Sequence, residues 1–324
     1  MANDLAIVDV AGVGLNATDT VIRLPHFPAF NSKTKVLSVE RCAGGQVASA
    51  VVACRRWGLS ARYVGSVGDD DAGQFQRREL DKEGVEAHWL VARGARSQFA
   101  FVLVDEPTGE RTILWGRDPK LTIRPEHLDR RWVERARLLL VDGHDAPAAA
   151  QAARWARAAQ IPVVADVDNL YSGVEGLLES ADYVLASEEF PARLLGEADP
   201  LRALPMLARD FGCRLTAVTL GERGALAWDG ARFHYAPAFL VDAVDTTGAG
   251  DIFHAGYIYG ILAGWQTDRC LEFASAAAGL NCTRIGARGG ISPVEEILRF
   301  AEAAHRRESA YEVGPRGHAA ARKP

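Results

Sequence analysis

Short, continuous apolar runs recur along the chain at Leu5–Val10, Ala61–Val64, Leu138–Val141, Pro162–Ala165, Tyr183–Leu185 and Thr216–Leu220. Between them lie amphipathic stretches, among them Gly45–Trp57, Ala72–Glu83, Ala146–Ala159 and Leu201–Phe211. A strand that is apolar on both sides must be buried on both faces, and helices between such strands supply the covering layers. The pattern therefore predicts an α/β fold: a central, mostly parallel sheet with helices on both faces. Two regions break the rhythm. Thr18–Leu24 and Lys35–Arg41 alternate apolar and polar residues, as do Gln98–Asp105 and Arg111–Trp115 on either side of the turn Glu106-Pro107-Thr108-Gly109-Glu110. Alternation at period two predicts half-exposed antiparallel strands. These form a small β-sheet lid, drawn from about residues 15–41 and 95–118, standing off a single domain that spans residues 1–306. The remainder, 307–324, has no periodicity and reads as a mobile tail. No internal repeat is present.

Gly12-Val13-Gly14-Leu15-Asn16-Ala17 follows the first apolar run and matches GxGxxA. In a dinucleotide-binding fold that turn opens a helix, whose N-terminus meets the pyrophosphate. Here it leads into the β-branched, alternating Thr18–Leu24, closed by Pro25, so a strand follows and the fingerprint fails. Asp19 emerges at the start of the lid, and the pattern leaves open whether it faces solvent or a cleft.

Composition narrows the classes. Hydrophobic residues make up 48% of the 324 residues and charged ones 24%, enough for a large core. Lys+Arg 37 against Asp+Glu 42 gives a net charge of −5, which argues against a nucleic-acid surface. Cys42, Cys54, Cys213, Cys270 and Cys282 are odd in number and lack metal-ligand spacing, so they read as free thiols in a reducing, cytoplasmic setting. The start, MANDLAIVDVAG, lacks the basic region of a signal peptide, and no uncharged apolar run reaches membrane-spanning length.

The most informative string is Asp245-Thr246-Thr247-Gly248-Ala249-Gly250-Asp251, which runs into Ile252-Phe253-His254-Ala255. Gly-Ala-Gly at the N-terminus of an apolar helix leaves free N–H groups and the positive end of the helix dipole facing outward. Glycine permits close approach of an anion. A lone Asp251 would read as a helix cap. In the whole string it makes chemical sense as a base that takes a proton from a hydroxyl while the N–H groups stabilise a transferring phosphoryl group.

That string resembles the C-terminal signature of the ribokinase (PfkB-type) carbohydrate kinase family. Gly44-Gly45-Gln46-Val47-Ala48-Ser49-Ala50 is similar to its N-terminal Gly-Gly segment, Val64–Gly73 to its G-x-V-G-x-D-x-x-G stretch, and Thr219-Leu220-Gly221-Glu222-Arg223-Gly224 to its T-x-G-x-x-G turn. No G-x-x-x-x-G-K-[ST] is present. The resemblance implies a ribokinase-like fold and an ATP-dependent kinase acting on a primary hydroxyl of a sugar, a ketose or furanose. It implies Asp251 as general base, Gly248, Ala249 and Gly250 as the anion hole, and Thr219, Gly221 and Gly224 at the ATP site. Asp19, Gly44, Gly45, Gln46 and Ser49 would hold the sugar. Mg2+ would accompany ATP, and Asp245, Thr247 and Gly286 are candidates for a monovalent cation such as K+. A homodimer joined through the lid follows from the same resemblance.

Three departures stand out. Gln46 and Ser49 occupy positions where the family commonly has Asn. Ser187 and Phe190 replace the Asn and Glu of the N-x-x-E magnesium motif, leaving Glu189 or Asp166 as substitutes. Gly290 stands where the cation loop often has a hydroxyl. Within the family, Thr108–Leu114, Val141–His144 and the Cys282–Ile291 stretch look most like ketohexokinases and bacterial sulfofructose kinases; Arg117 and His144 are the candidate sulfonate donors. A nucleoside acceptor would draw stacking groups from Phe99, Phe101 and Trp115. A nucleotide-binding regulator without activity would have no use for Asp251 in the anion hole.

Overall fold

The computed structural model describes residues 5–314 and 318–322. In chain order the strands are β1 (Val8–Val13), β2 (Ala17–Leu24), β3 (Ser38–Gly44), β4 (Ala61–Gly68), β5 (Glu86–Ala92), β6 (Phe99–Asp105), β7 (Arg111–Gly116), β8 (Ala136–Asp142), β9 (Val163–Val167), β10 (Tyr183–Ser187), β11 (Leu215–Thr219), β12 (Ala225–Trp228), β13 (Phe233–Ala236), β14 (Tyr311–Val313) and β15 (Ala319–Ala321). The α-helices are α1 (Gln46–Arg56), α2 (Asp71–Lys82), α3 (Arg130–Glu134), α4 (Ala146–Ala158), α5 (Val174–Leu178), α6 (Glu189–Leu195), α7 (Pro200–Phe211), α8 (Ala249–Leu262), α9 (Thr267–Asn281) and α10 (Val294–Ala303).

The large sheet has the order β13-β12-β11-β10-β9-β8-β1-β4-β5. It is parallel from β5 to β11, and β12 and β13 complete one edge antiparallel. Alternate residues of its strands feed separate cores. Leu138 and Leu140 pack with residues of α1, α8 and α9, whereas Leu139 and Val141 pack with residues of α4, α5 and α7. Each fully buried Leu or Val contributes about 1.5–3 kcal/mol of burial free energy. β12 and β13 were not visible as a pattern, because four residues are too few to display a period.

The second sheet has the order β3-β2-β6-β7. β2 pairs antiparallel with β3, and β6 with β7, but β2 and β6 run parallel, which corrects the all-antiparallel expectation. The long connection through α1, β4, α2 and β5 permits that parallel pairing. β3 also lies later than Lys35–Arg41, because its ladder to β2 pairs Ala17 with Gly44. One face of the small sheet carries Val21, Ala100, Val102 and Val104, packed against Cys42 and Ile285. On the other, Phe101 and Leu114 are opposite each other and 43% and 54% exposed.

The expected tail differs where it is described. β14 and β15 form a hairpin, and Tyr311 is buried against Tyr235, whose hydroxyl accepts the Ala310 N–H at 2.9 Å. Aromatic burial holds this segment despite its lack of periodicity. Among the described residues, no helix is long and apolar enough to cross a membrane.

Candidate active site

The C-terminal ends of the parallel strands and the inner face of the small sheet enclose a cavity of about 620 Å³. Ligands of open α/β sheets bind at that end of the strands, where loops and helix N-termini converge. Of the residues singled out above, Asp19, Gly45, Gln46, Thr219, Gly221, Gly224, Thr247, Gly248, Ala249, Gly250 and Asp251 line it. Asp166, His144 and Trp115 line it as well, whereas Gly44, Ser49, Asp245 and Gly286 do not.

Gly248 precedes α8 with φ +75, and a side chain there would collide with the Ala287 backbone. Gly250 lies in the first turn with open space before it; only His254 comes within 4.0 Å of the point where a β-carbon would stand. At the start of α8 the Ala249 N–H bonds the Thr246 carbonyl at 3.2 Å, and the Gly250 N–H that follows is the donor this turn offers to the cavity. Two buried side chains brace the loop. Asp245 accepts the Thr247 and Gly286 N–H groups, each at 2.8 Å, on its two oxygens. Asn281 donates to the Ala287 carbonyl at 3.1 Å and accepts the Gly290 N–H at 3.1 Å. The Thr247 hydroxyl is buried without a partner among the described residues.

Asp251 sits one residue beyond Gly250. Burial raises its carboxyl to about 7; Asp19 adds to the rise, and Arg111 and Arg288 oppose it. Asp19 is likewise raised by burial, to about 6, with Arg288 pulling it down. Asp166 is pushed well above the usual range by burial and by the nearby Asp251, Asp168 and Asp142 charges. His254 donates from Nε2 to the Leu185 carbonyl at 3.2 Å, leaving Nδ1 toward Asp166 Oδ2 at 3.3 Å; burial lowers the imidazole to about 4, so it is neutral. A carboxyl titrating near neutrality beside a set of N–H donors can accept a proton at the point where oxygen charge is stabilised.

Gly44 backs the cleft: any side chain on it would overlap the Asp19 carboxylate. Ser49 is fully buried and does not reach the cavity; its hydroxyl is held by Arg288 Nε at 3.2 Å, while Arg288 Nη2 binds the Gly44 carbonyl at 3.0 Å. Gln46 donates to Asp166 Oδ1 at 3.2 Å, and its Oε1 has no partner among the described residues. Of the two candidate magnesium acids, Glu189 turns to solvent and pairs with Arg193, whereas Asp166 lines the cavity with Asp168. Phe190, in the Glu position of the motif, is a core residue. No group of three or more His, Cys, Asp or Glu side chains arranged for a metal occurs among the described residues.

The glycines of the failed GxGxxA fit also find their reason. A side chain on Gly14 would strike Asp142, which accepts the Leu15 N–H at 2.6 Å. Of the sulfonate candidates, Arg117 is neutralised by a two-pronged pair with Asp145, at 2.6 and 3.2 Å. His144 lines the cavity and packs at a tilt against Tyr171, with burial lowering its imidazole to about 4. Phe99 and Phe101 do not line the cavity, and Trp115 does.

Sequence reasoning missed two arginines. Arg111, at the start of β7, reaches from the lid to the Thr246 hydroxyl at 2.5 Å and forms no ion pair among the described residues. Its signal was the polar residue opening an alternating strand. Arg288 lies in the loop after α9, where Gly-Ala-Arg-Gly-Gly announced only a turn.

Comparison with known proteins agrees with this geometry. Residues 9–294 match the model of the pfkB family of carbohydrate kinases, and the chain belongs to that family. It is thereby an ATP-dependent carbohydrate kinase. The chain is 30% identical to an ATP-dependent ribose-1-phosphate kinase of Halopiger xanaduensis, over 87% of this chain and 94% of that one. It is 29% identical to an aminoimidazole riboside kinase of Salmonella typhimurium, over 78% and 84%. The crystal structure of a ribokinase-like protein from Agrobacterium tumefaciens superposes with a TM-score of 0.86 at 30% identity, covering 92% of this chain and 98% of that one. None of these three is a ketohexokinase or a sulfofructose kinase.

Proposed function

We propose that the protein transfers the terminal phosphoryl group of ATP to a primary hydroxyl of a sugar, with Asp251 as general base. The carrying observation is the position of Asp251 at the mouth of the Gly248–Gly250 turn, with its carboxyl raised to about 7. A base poised near the working pH combines availability with driving force. Asp19, backed by Gly44, accepts hydrogen bonds from sugar hydroxyls, and Gly45 and Gln46 complete that wall. The Gly250 N–H receives a phosphoryl oxygen, and Arg111 brings a positive charge from the lid to the same loop.

ATP fits the other half of the cavity. Gly221 has φ +56 and nothing within 4 Å of its β-carbon position, and Phe239, Val241 and Ala278 offer an apolar wall for a base. Asp166 and Asp168, which line the cavity, would hold Mg2+ together with the phosphates, and the ion would supply charge neutralisation there. Asp245, Thr247 and Gly286 remain the positions for a monovalent cation, and the unpartnered Thr247 hydroxyl suits that use.

The half-exposed face bearing Phe101 and Leu114 supports a homodimer in which two lids cover each other's apolar faces. A second reading, a nucleoside acceptor, is favoured by Trp115 in the cavity and by the likeness to the aminoimidazole riboside kinase. Measured ADP release over sugars, sugar phosphates and nucleosides decides between the acceptors. Asp251→Asn should lower kcat about 10²–10⁴-fold while ATP still binds; near-native turnover would remove the base assignment.

A further inference from the structure

Gln98 is a lining residue that neither the motifs nor the comparisons single out. It directly precedes β6 and lies two positions before Ala100, so strand alternation places it on the buried face with Ala100, Val102 and Val104. The register aligns Asp19 with Ala100 on the neighbouring strand, which makes Gln98 and Asp19 diagonal neighbours on one face. Both line the cavity and both are buried, with exposures of 6% and 5%.

The backbone of Gln98 is fixed. Its carbonyl accepts the Thr18 N–H at 3.1 Å and the Gln76 amide at 2.9 Å; that same amide also donates to the Thr18 hydroxyl at 3.1 Å. The side chain is a different matter. Its Oε1 is buried with no partner among the described residues, and burial raises the neighbouring Asp19 carboxyl above its ordinary range. Two desolvated polar groups on a braced wall are costly unless something in the cavity pairs with them. A carboxylate only accepts, whereas an amide accepts and donates. Together they match adjacent hydroxyls, each of which can do both.

We propose that Gln98 is a specificity-determining residue that reads a hydroxyl of the acceptor next to those held by Asp19. The inference rests on the kinase reading above and names what the acceptor must present: a run of neighbouring hydroxyls rather than a single alcohol. An analogue lacking the hydroxyl at Gln98 leaves the amide buried and unpaired, which is the strongest kind of rejection a pocket exerts.

The test uses the full chain, with D-ribose, D-fructose, ribose-1-phosphate and adenosine as probes, then the monodeoxy analogues of whichever is turned over fastest. Gln98→Leu should raise the acceptor KM about 10–100-fold and leave the ATP KM within about twofold. One monodeoxy analogue, poor with the unmodified protein, should be discriminated no further by the variant. Gln98→Ala provides the same reading should the leucine pack badly. An unchanged acceptor KM would overturn the proposal. So would an equal loss for every analogue accompanied by a lower melting temperature, since that marks a structural role. Absence of ADP release from the unmodified protein with any probe would count against the kinase reading alone. Thermal-shift binding of the same sugars, lost or kept in Gln98→Leu, then decides the role of Gln98 directly.

Discussion

The two sheets treat their side chains differently. In the large sheet, Leu138 to Val141 are buried without exception, because helices cover both faces. In the small sheet, burial alternates along Phe99–Asp105, and every second residue is left to half-exposed positions. A strand locked from both sides can only hold shape. A strand with one free face can turn that face to a ligand or to another molecule. The candidate active site lies along the seam: Asp251 and the glycine turn come from the locked body, and Asp19, Arg111 and Gln98 from the lid.

Leu140→Asp should break the comparison most severely. It places an unpaired charge in a fully buried strand, costing on the order of 3–5 kcal/mol or more, and should abolish soluble expression of the whole chain. Val102→Asp puts the same charge in the separate core of the lid. Its damage should remain local: the acceptor KM rises at least tenfold, the ATP KM stays, and the melting temperature falls less than for any equivalent change in the large sheet. Steady-state kinetics with each substrate varied, beside calorimetry, check both points. Arg111→Met tests the bridge between the regions. The lid cation should act on kcat, lowering it by about 10–100-fold, with circular dichroism unchanged. Leu103→Asp, on the opposite face of the same strand from Val102, should have the smallest effect on the isolated subunit. It should convert a dimer into monomers at micromolar concentration by light scattering; a monomeric unmodified protein would end that reading.

The titrations sharpen the contrast further. With Asp251 as the proposed base and Asp19 as the proposed acceptor anchor, kcat/KM for the acceptor should rise with pH through about 6 and about 7 and then level. Stability should run the other way. Both carboxyls are raised in the folded state, so their protonated forms favour folding at low pH, and that contribution is lost as pH climbs from the ordinary carboxylate range through 6 and 7. Asp251→Asn should therefore raise Tm at pH 8, by roughly 2–4 °C, and not at pH 4. A lower Tm at pH 8 would contradict the burial argument.

What the sequence revealed depended on how local the cause was. Asp245–Asp251 was readable because glycine turn, helix start and acid sit within seven residues. The alternation of the lid strands survived folding, but the start of β3 did not, because its extent is set by pairing with β2 rather than by its own pattern. Arg288 was invisible for a different reason: its partners, Gly44 and Ser49, lie more than 230 positions away. Gln98 has the same character, since its meaning comes from a register with Asp19 that no single strand contains. Gly12–Ala17 leads into a strand, as its alternation predicted, yet only the fold supplies the purpose of its glycines, room for Asp142 and Val47.

The C-terminal hairpin has a consequence beyond packing. β13 is an edge of the large sheet, and an uncovered edge offers unpaired backbone groups to any passing strand. Tyr311, with Ala310 and Ala319, lies in the same cluster as Phe233 and Tyr235 of β13, so the hairpin stands guard beside that edge. Seen this way, the hairpin discourages the growth of one molecule's sheet into the next, and shortening the chain before residue 308 should increase aggregation through that edge.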